Sequence, residues 1–100
     1  MSLPLRIRPE ATSELNEAWN WYEERREGLG DELLGCVEVA FASVQRNPQA
    51  HRRVEGRIRQ AIVQRFPYVV LFAEYPDYVE VLAVFHTSRD PKQWQGRLGS

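Results

Sequence analysis

Between Glu10 and Glu27 the apolar residues Ala11, Leu15, Ala18, Trp19 and Tyr22 recur three and four positions apart, with Glu14, Glu17, Glu23 and Glu24 elsewhere around the wheel. That period predicts an amphipathic helix. Gly28 and Gly30 punctuate it, and Asp31 follows as a cap or first-turn acid for a second helix with the stripe Leu33, Leu34, Val37, Phe41 and Val44. Asn47 and Pro48 stop that helix. So short a connection makes the two helices an antiparallel hairpin with both stripes on one core. Gly35 costs the second helix stability, and the reading is that it admits close approach of the first. Upstream, Arg6 to Arg8 form a short extended segment, because the residue before Pro9 is pushed out of the helical region.

From Arg57 the period changes. The runs Arg57–Phe66, Tyr68–Tyr75 and Tyr78–His86 are dominated by β-branched and aromatic residues and predict three strands. Their links are too short for a parallel crossover, so the strands form an antiparallel meander. Val81 to Phe85 are apolar at both parities, which places that strand under cover on both faces or in the centre of the sheet. Thr87 to Ser100 is polar and irregular beyond a turn around Pro91. With no repeat and no linker, residues 1–100 read as one α+β domain in the order β-α-α-β-β-β.

Composition narrows the class. The longest apolar stretch, Tyr68 to Ala73, has six residues, against roughly 20 for a membrane-spanning helix. No export signal is legible, and Cys36 has no second thiol for a disulfide. A cytoplasmic protein with no cofactor and no metal is the expectation, with Cys36 as a small buried hydrophobe. The formal charge of -1 argues against a chain wholly surrounded by phosphate. It hides a polarity, since residues 51–65 carry Arg52, Arg53, Arg57, Arg59 and Arg65 against Glu55 alone. Either these guanidinium groups meet an anionic partner, or they are solvated or paired with acids of the same chain.

Certain phrases go further than pattern: RPEA at 8–11, WYE at 21–23, GLGDELL at 28–34, Asn47 with Pro48, IRQAIVQRFPY at 58–68 and VLAVFHTSRDPKQW at 81–94. Together with the element order they resemble the RelE/ParE superfamily of type II toxin–antitoxin toxins, the plasmid stabilisation proteins, nearly end to end. The resemblance implies a small sheet packed on a helical hairpin, a hetero-oligomer with a cognate antitoxin, and growth arrest when the antitoxin is lost. It also implies two competing activities. ParE-like members bind and poison DNA gyrase without a recognised nuclease site. RelE-like members cut mRNA on the ribosome, and are typically strongly basic with lysine or a C-terminal tyrosine at work. The ParE-like branch fits this chain better. A degenerate homologue kept as an interaction module is the third reading.

Cleavage of RNA needs an acid or base near the 2′-hydroxyl and leaving oxygen, and cations on the phosphate. Its candidates are His86, Arg59, Arg65 and Arg89. Arg59 and Arg65 share parity on one expected strand and would project from one face about 20 Å apart. His51 has no motif around it. The structural alternatives are that His86 hydrogen-bonds its own turn and that Arg89 pairs with Asp90. A protein partner would instead use Arg52, Arg53, Arg57, Arg59 and Arg65 as a cationic rim. Trp21, which lies off the apolar stripe, either anchors such a partner or packs against the sheet.

Overall fold

The computed structural model describes residues 2–97. Strand β1 (Leu5–Ile7) leads into helix α1 (Pro9–Arg25), which turns at once into α2 (Leu29–Arg46); a 3₁₀ turn (Pro48–Ala50) then precedes β2 (Arg52–Glu55), β3 (Ile58–Ile62), β4 (Tyr68–Tyr75) and β5 (Tyr78–His86), and a second 3₁₀ turn (Pro91–Gln93) follows. The five strands form one sheet in the order β1-β5-β4-β3-β2, antiparallel except for β1, which runs parallel to β5. The expected α+β hairpin and meander are present, but the meander has one more strand than the runs of β-formers indicate. The extra strand, β2, carries the segment RRVE, too short and too charged to show alternation, and it is made by pairing with β3 across the turn at Gly56 and Arg57. The polar ending is irregular beyond its 3₁₀ turn as far as Arg97; residues 98–100, which that expectation included, lie outside the described residues.

The first strand of the expected meander is shorter than its run. β3 ends at Ile62, and Arg65 sits in the following turn at φ 71, a left-handed conformation unusual for a residue with a side chain. Val63 donates to the Tyr68 carbonyl at 3.0 Å and closes the hairpin, so the chain must reverse between them. Arg59 and Arg65 therefore do not share a strand face.

Between the helices, Gly28 takes φ 88 and lets α2 start two residues before Asp31. The opening N–H groups of α2 are satisfied by α1: the Glu23 carboxylate accepts from the Gly28 and Gly30 amides at 2.9 and 3.0 Å. Asp31 is a first-turn acid and accepts the Trp19 indole N–H at 3.0 Å. The close approach of the helices falls at Gly30, where a Cβ would stand 2.8 Å from the Trp19 carbonyl oxygen and 2.9 Å from its ring. Gly35, expected to mark that contact, is exposed with nothing within 4 Å of the Cβ position.

One sheet face lies under the hairpin, where Leu33, Val37 and Val44 pack on Val70, Phe72, Val79, Val81 and Val84. On the other face Ile58, Val69, Leu71, Ala73, Leu82, Ala83 and Phe85 form a second apolar layer with Trp94 folded onto it. The run that is apolar at both parities is thus covered on both sides. A β-bulge contributes: Leu71 opposes Ala83 and Phe72 opposes Val81, so Leu82 has no opposite residue and the parity of β5 reverses there.

At the bulge β5 also loses its other neighbour, because β1 ends at Ile7 opposite Val81. Side chains take over. Arg97 donates to the Leu82 carbonyl at 2.7 Å, and Glu14 accepts the Val84 amide at 3.1 Å. The two pair with each other at 2.9 and 3.2 Å, with side chains only 15% and 13% exposed. Arg8 donates to the Arg97 carbonyl at 2.8 Å and fixes the tail from its other side.

Gly30→Ala should destabilise the chain by about 1–3 kcal/mol through overpacking on Trp19, while Gly35→Ala should stabilise it by about 0.5–1 kcal/mol through helix propensity; urea unfolding of both variants checks the opposite signs. Glu14→Ala should cost about 2–3 kcal/mol by stranding the Val84 amide and removing the partner of Arg97. Glu14→Gln, which keeps an acceptor, should cost about half of that in the same measurement.

Candidate functional site

His86, Arg89 and Trp21, three of the residues singled out from the chain, come together. They line a cleft of about 410 Å³ between α1 and the end of β5, with Glu14, Glu17, Tyr22, Tyr68 and Ser88. Helical spacing brings Glu14, Glu17, Ala18 and Trp21 of α1 to one wall, and strand pairing brings Tyr68 opposite His86 on the other. His86 Nδ1 accepts from the Ser88 amide at 3.1 Å and meets the Ser88 hydroxyl at 2.8 Å. That assigns the ring proton to Nε2, so the imidazole offers a donor while its other nitrogen holds the turn. The turn-bonding alternative for His86 is therefore the arrangement present. Its ring also meets Tyr68 edge-on at 5.1 Å.

Burial pushes the Tyr68 phenol above its ordinary value; Tyr22 and Glu17 add to the rise and Arg89 opposes it. The phenol is therefore a neutral hydrogen-bonding group at neutral pH. Arg89 is exposed and forms no ion pair among the described residues. The expected Arg89–Asp90 pair is absent there because Asp90 caps the next 3₁₀ turn, accepting the Lys92 amide at 3.0 Å. Trp21 is 51% exposed, with the Arg25 guanidinium 3.5 Å above its ring. It is neither packed on the sheet nor part of the core.

Arg59 and Arg65 stay apart from this cleft. Arg59 shares the parity of Ala61 and Val63, turns to the helix side, and donates to the His51 carbonyl at 2.7 Å, tying β3 to the segment before β2. Arg65 pairs with Glu32 of α2 at 2.7 Å, and Arg26 joins the same carboxylate at 2.9 Å. Both arginines hold the Glu32 carboxyl below its ordinary pKa, Arg65 more than Arg26. Arg57, in a turn, lies over the Tyr75 ring at 5.2 Å. Arg52 and Arg53 are exposed on the edge strand, where their backbone pairs with β3 and their side chains make no hydrogen bond or ion pair to another described residue. The cationic rim expected across residues 52–65 thus divides, and two of its five arginines are drawn into the chain's own structure.

A surface that the periodicity did not single out adjoins the cleft. On the sheet face away from the helices, Ile62, Phe66, Val69, Leu71, Phe85 and Trp94 line a mainly apolar groove of about 490 Å³, bounded by Arg89 at the cleft side. Ile62 is 65% exposed there. The alternate residues of β4 were the available signal for this second layer. Among the described residues no group of three or more His, Cys, Asp or Glu side chains could hold a metal ion, and no helix is long and apolar enough to cross a membrane. Cys36 is half-buried against the core.

The family model described as the ParE toxin of the type II toxin–antitoxin system parDE matches residues 5–91. Among solved structures the chain is similar to one titled as the chromosomal ParDE TA system from P. aeruginosa, with a TM-score of 0.76 at 15% identity, covering 87% of this chain and 98% of that one. At that identity the likeness is one of fold. A comparison with curated proteins finds no match.

The Glu32 cluster has a pH signature. Its folded pKa lies below the ordinary 4.5, so the stability it contributes is complete above 4.5 and is lost as the pH falls through the lowered value. Glu32→Gln should flatten this part of the acid limb in urea midpoints measured from neutral pH downward.

Proposed function

The chain belongs to the ParE toxin family of type II toxin–antitoxin systems, and we propose that it arrests growth by binding DNA gyrase and is silenced by a cognate antitoxin held in a hetero-oligomer. The observation that carries a binding role is the dispersal of the residues that RNA cleavage would need together. His86 and Arg89 line one cleft, while Arg59 holds the backbone before β2 and Arg65 holds Glu32. A phosphate beside His86 would meet one cation from this set, and charge build-up at phosphorus calls for more. The mainly apolar groove lined by Ile62, Leu71, Phe85 and Trp94 gives an RNA backbone one cation, Arg89, and suits a protein surface. Exposed Trp21 and unpaired Arg89 supply the aromatic and guanidinium groups that dominate protein contacts.

Induction of the chain without its partner tests this reading. Filamentation with a DNA-damage response, and inhibition of purified gyrase, are the expected results; His86→Ala should keep full toxicity, because no proton transfer is asked of it. Immediate loss of protein synthesis with cut messages, abolished by His86→Ala, would replace the reading with mRNA cleavage. Unhindered growth would leave an interaction module. Co-expression of the product of the adjacent reading frame should restore growth.

A further inference from the structure

We propose that the cleft between α1 and the end of β5 binds a free α-amino acid with an aromatic side chain. Its ammonium is held by the Glu17 carboxylate and the Val84 carbonyl, and its carboxylate by Arg89 and the His86 amide. The backbone makes the first part of the argument. Thr87 donates its N–H to the Pro67 carbonyl at 2.9 Å, so strand alternation turns Phe85 toward β4 and sets the N–H and C=O of Val84 and His86 on the other edge. That edge faces α1, as the Val84 amide shows by reaching Glu14 at 3.1 Å. The Val84 carbonyl and the His86 N–H have no partner among the described residues. Two such groups bracket a single residue, which in a parallel ladder donates to the first and accepts from the second. One residue is also all the length available. Glu14 occupies the place before it, and the Arg89 amide folds back onto the His86 carbonyl at 3.1 Å after it. A free amino acid fits where a longer peptide does not.

The side chains supply the rest of the recognition. Glu17 and Arg89 line the cleft, are exposed, and make no ion pair among the described residues, either with each other or elsewhere. Glu14, the other acid of the cleft, is already neutralised by Arg97. The cleft thus holds one unpaired charge of each sign, and both act on the Tyr68 phenol, Glu17 raising it and Arg89 lowering it. A ligand with a single charge gains from one of them and is repelled by the other. A zwitterion satisfies both. In an α-amino acid the two charged groups stand on one carbon, as the N–H and C=O of a strand residue do. The C-terminal residue of a protein would meet Arg89 but leave Glu17 unpaired, and an N-terminal residue would do the reverse. Trp21, Tyr22 and Tyr68 add aromatic walls, and the volume of about 410 Å³ lies in the range of small-molecule sites. Such walls favour an aromatic side chain over a small one. The site goes beyond the toxin reading, since neither the open edge nor the charge pair depends on the partner.

Titration calorimetry of the whole chain with L-phenylalanine and L-tryptophan tests the site. At least one of the two should bind with a Kd of about 1 mM or tighter, the range open to a ligand of so few atoms. Phenylalaninamide, which lacks the carboxylate, and N-acetylphenylalanine, which lacks the ammonium, should each bind at least about tenfold more weakly, as should L-alanine. Arg89→Gln and Glu17→Gln should each weaken the amino acid that binds about tenfold, and as changes at exposed positions should melt like the parent. In nitrogen–proton NMR spectra the His86 amide should shift on titration, because it gains an acceptor. No binding of either amino acid up to about 20 mM would overturn the proposal. So would wild-type affinity in both variants, an unmoved His86 amide at saturation, or equal binding of the amide or N-acetyl derivative, which would leave the charge pair without a part. The readout is independent of growth arrest, so the site stands or falls separately from gyrase binding.

Discussion

A three-residue strand lies beside a nine-residue one, and the backbone that β1 leaves uncovered along β5 has to find partners. The Leu82 bulge sits on that stretch. Glu14 and Arg97 satisfy it together, one from a helix and the other from the tail, and neutralise each other as they do so. Such a pair is retained for geometry more than for net stability, since two desolvated charges recover little beyond their own burial. Its consequence is positional. It sets the distance of α1 from the end of β5, which is the width of the cleft, and it holds the tail whose Trp94 covers the outer layer.

The arginines follow from the same economy of partners. A guanidinium presents its donors in a fixed fork and finds backbone carbonyls as readily as carboxylates. Where the fold leaves carbonyls without a strand neighbour, as at His51 and Leu82, an arginine fills the place. Where an acidic helix comes near a turn, as Glu32 does to Arg65, an arginine bridges them. Arg52, Arg53 and Arg89 remain turned to solvent. A near-zero total charge is thus compatible with local positive regions, because much of the acid is consumed internally or lies on the helices.

The two faces of the sheet differ in what covers them. Two helices close one, and a single tryptophan-bearing tail partly closes the other. Membership of the ParE toxin family gives this asymmetry a use, since a toxin that is held by an antitoxin needs apolar surface it has not buried itself.

Helix and strand periods, the helical hairpin, the antiparallel order of the last three strands and the family phrases were legible in the residues, because each rests on spacings of a few positions or on local words. Three of the candidate site residues, His86, Arg89 and Trp21, do share a cleft. Arg59 and Arg65 share parity in the residues but not a strand face, because parity holds only while a strand lasts, and a turn that must close between Val63 and Tyr68 ends it. β2 is not legible in the residues because its strand character is supplied by β3, and Gly35 reads as the helix contact because a glycine shows flexibility in sequence but not what stands opposite. Glu14 and Arg97 are 83 positions apart, and nothing local distinguishes either from a solvated charge. The chain alone determined which segments wind and which extend, since those choices depend on neighbours within one or two turns. Tertiary structure decided which charges are spent inside and which backbone edge stays open, since those depend on what folding brings alongside.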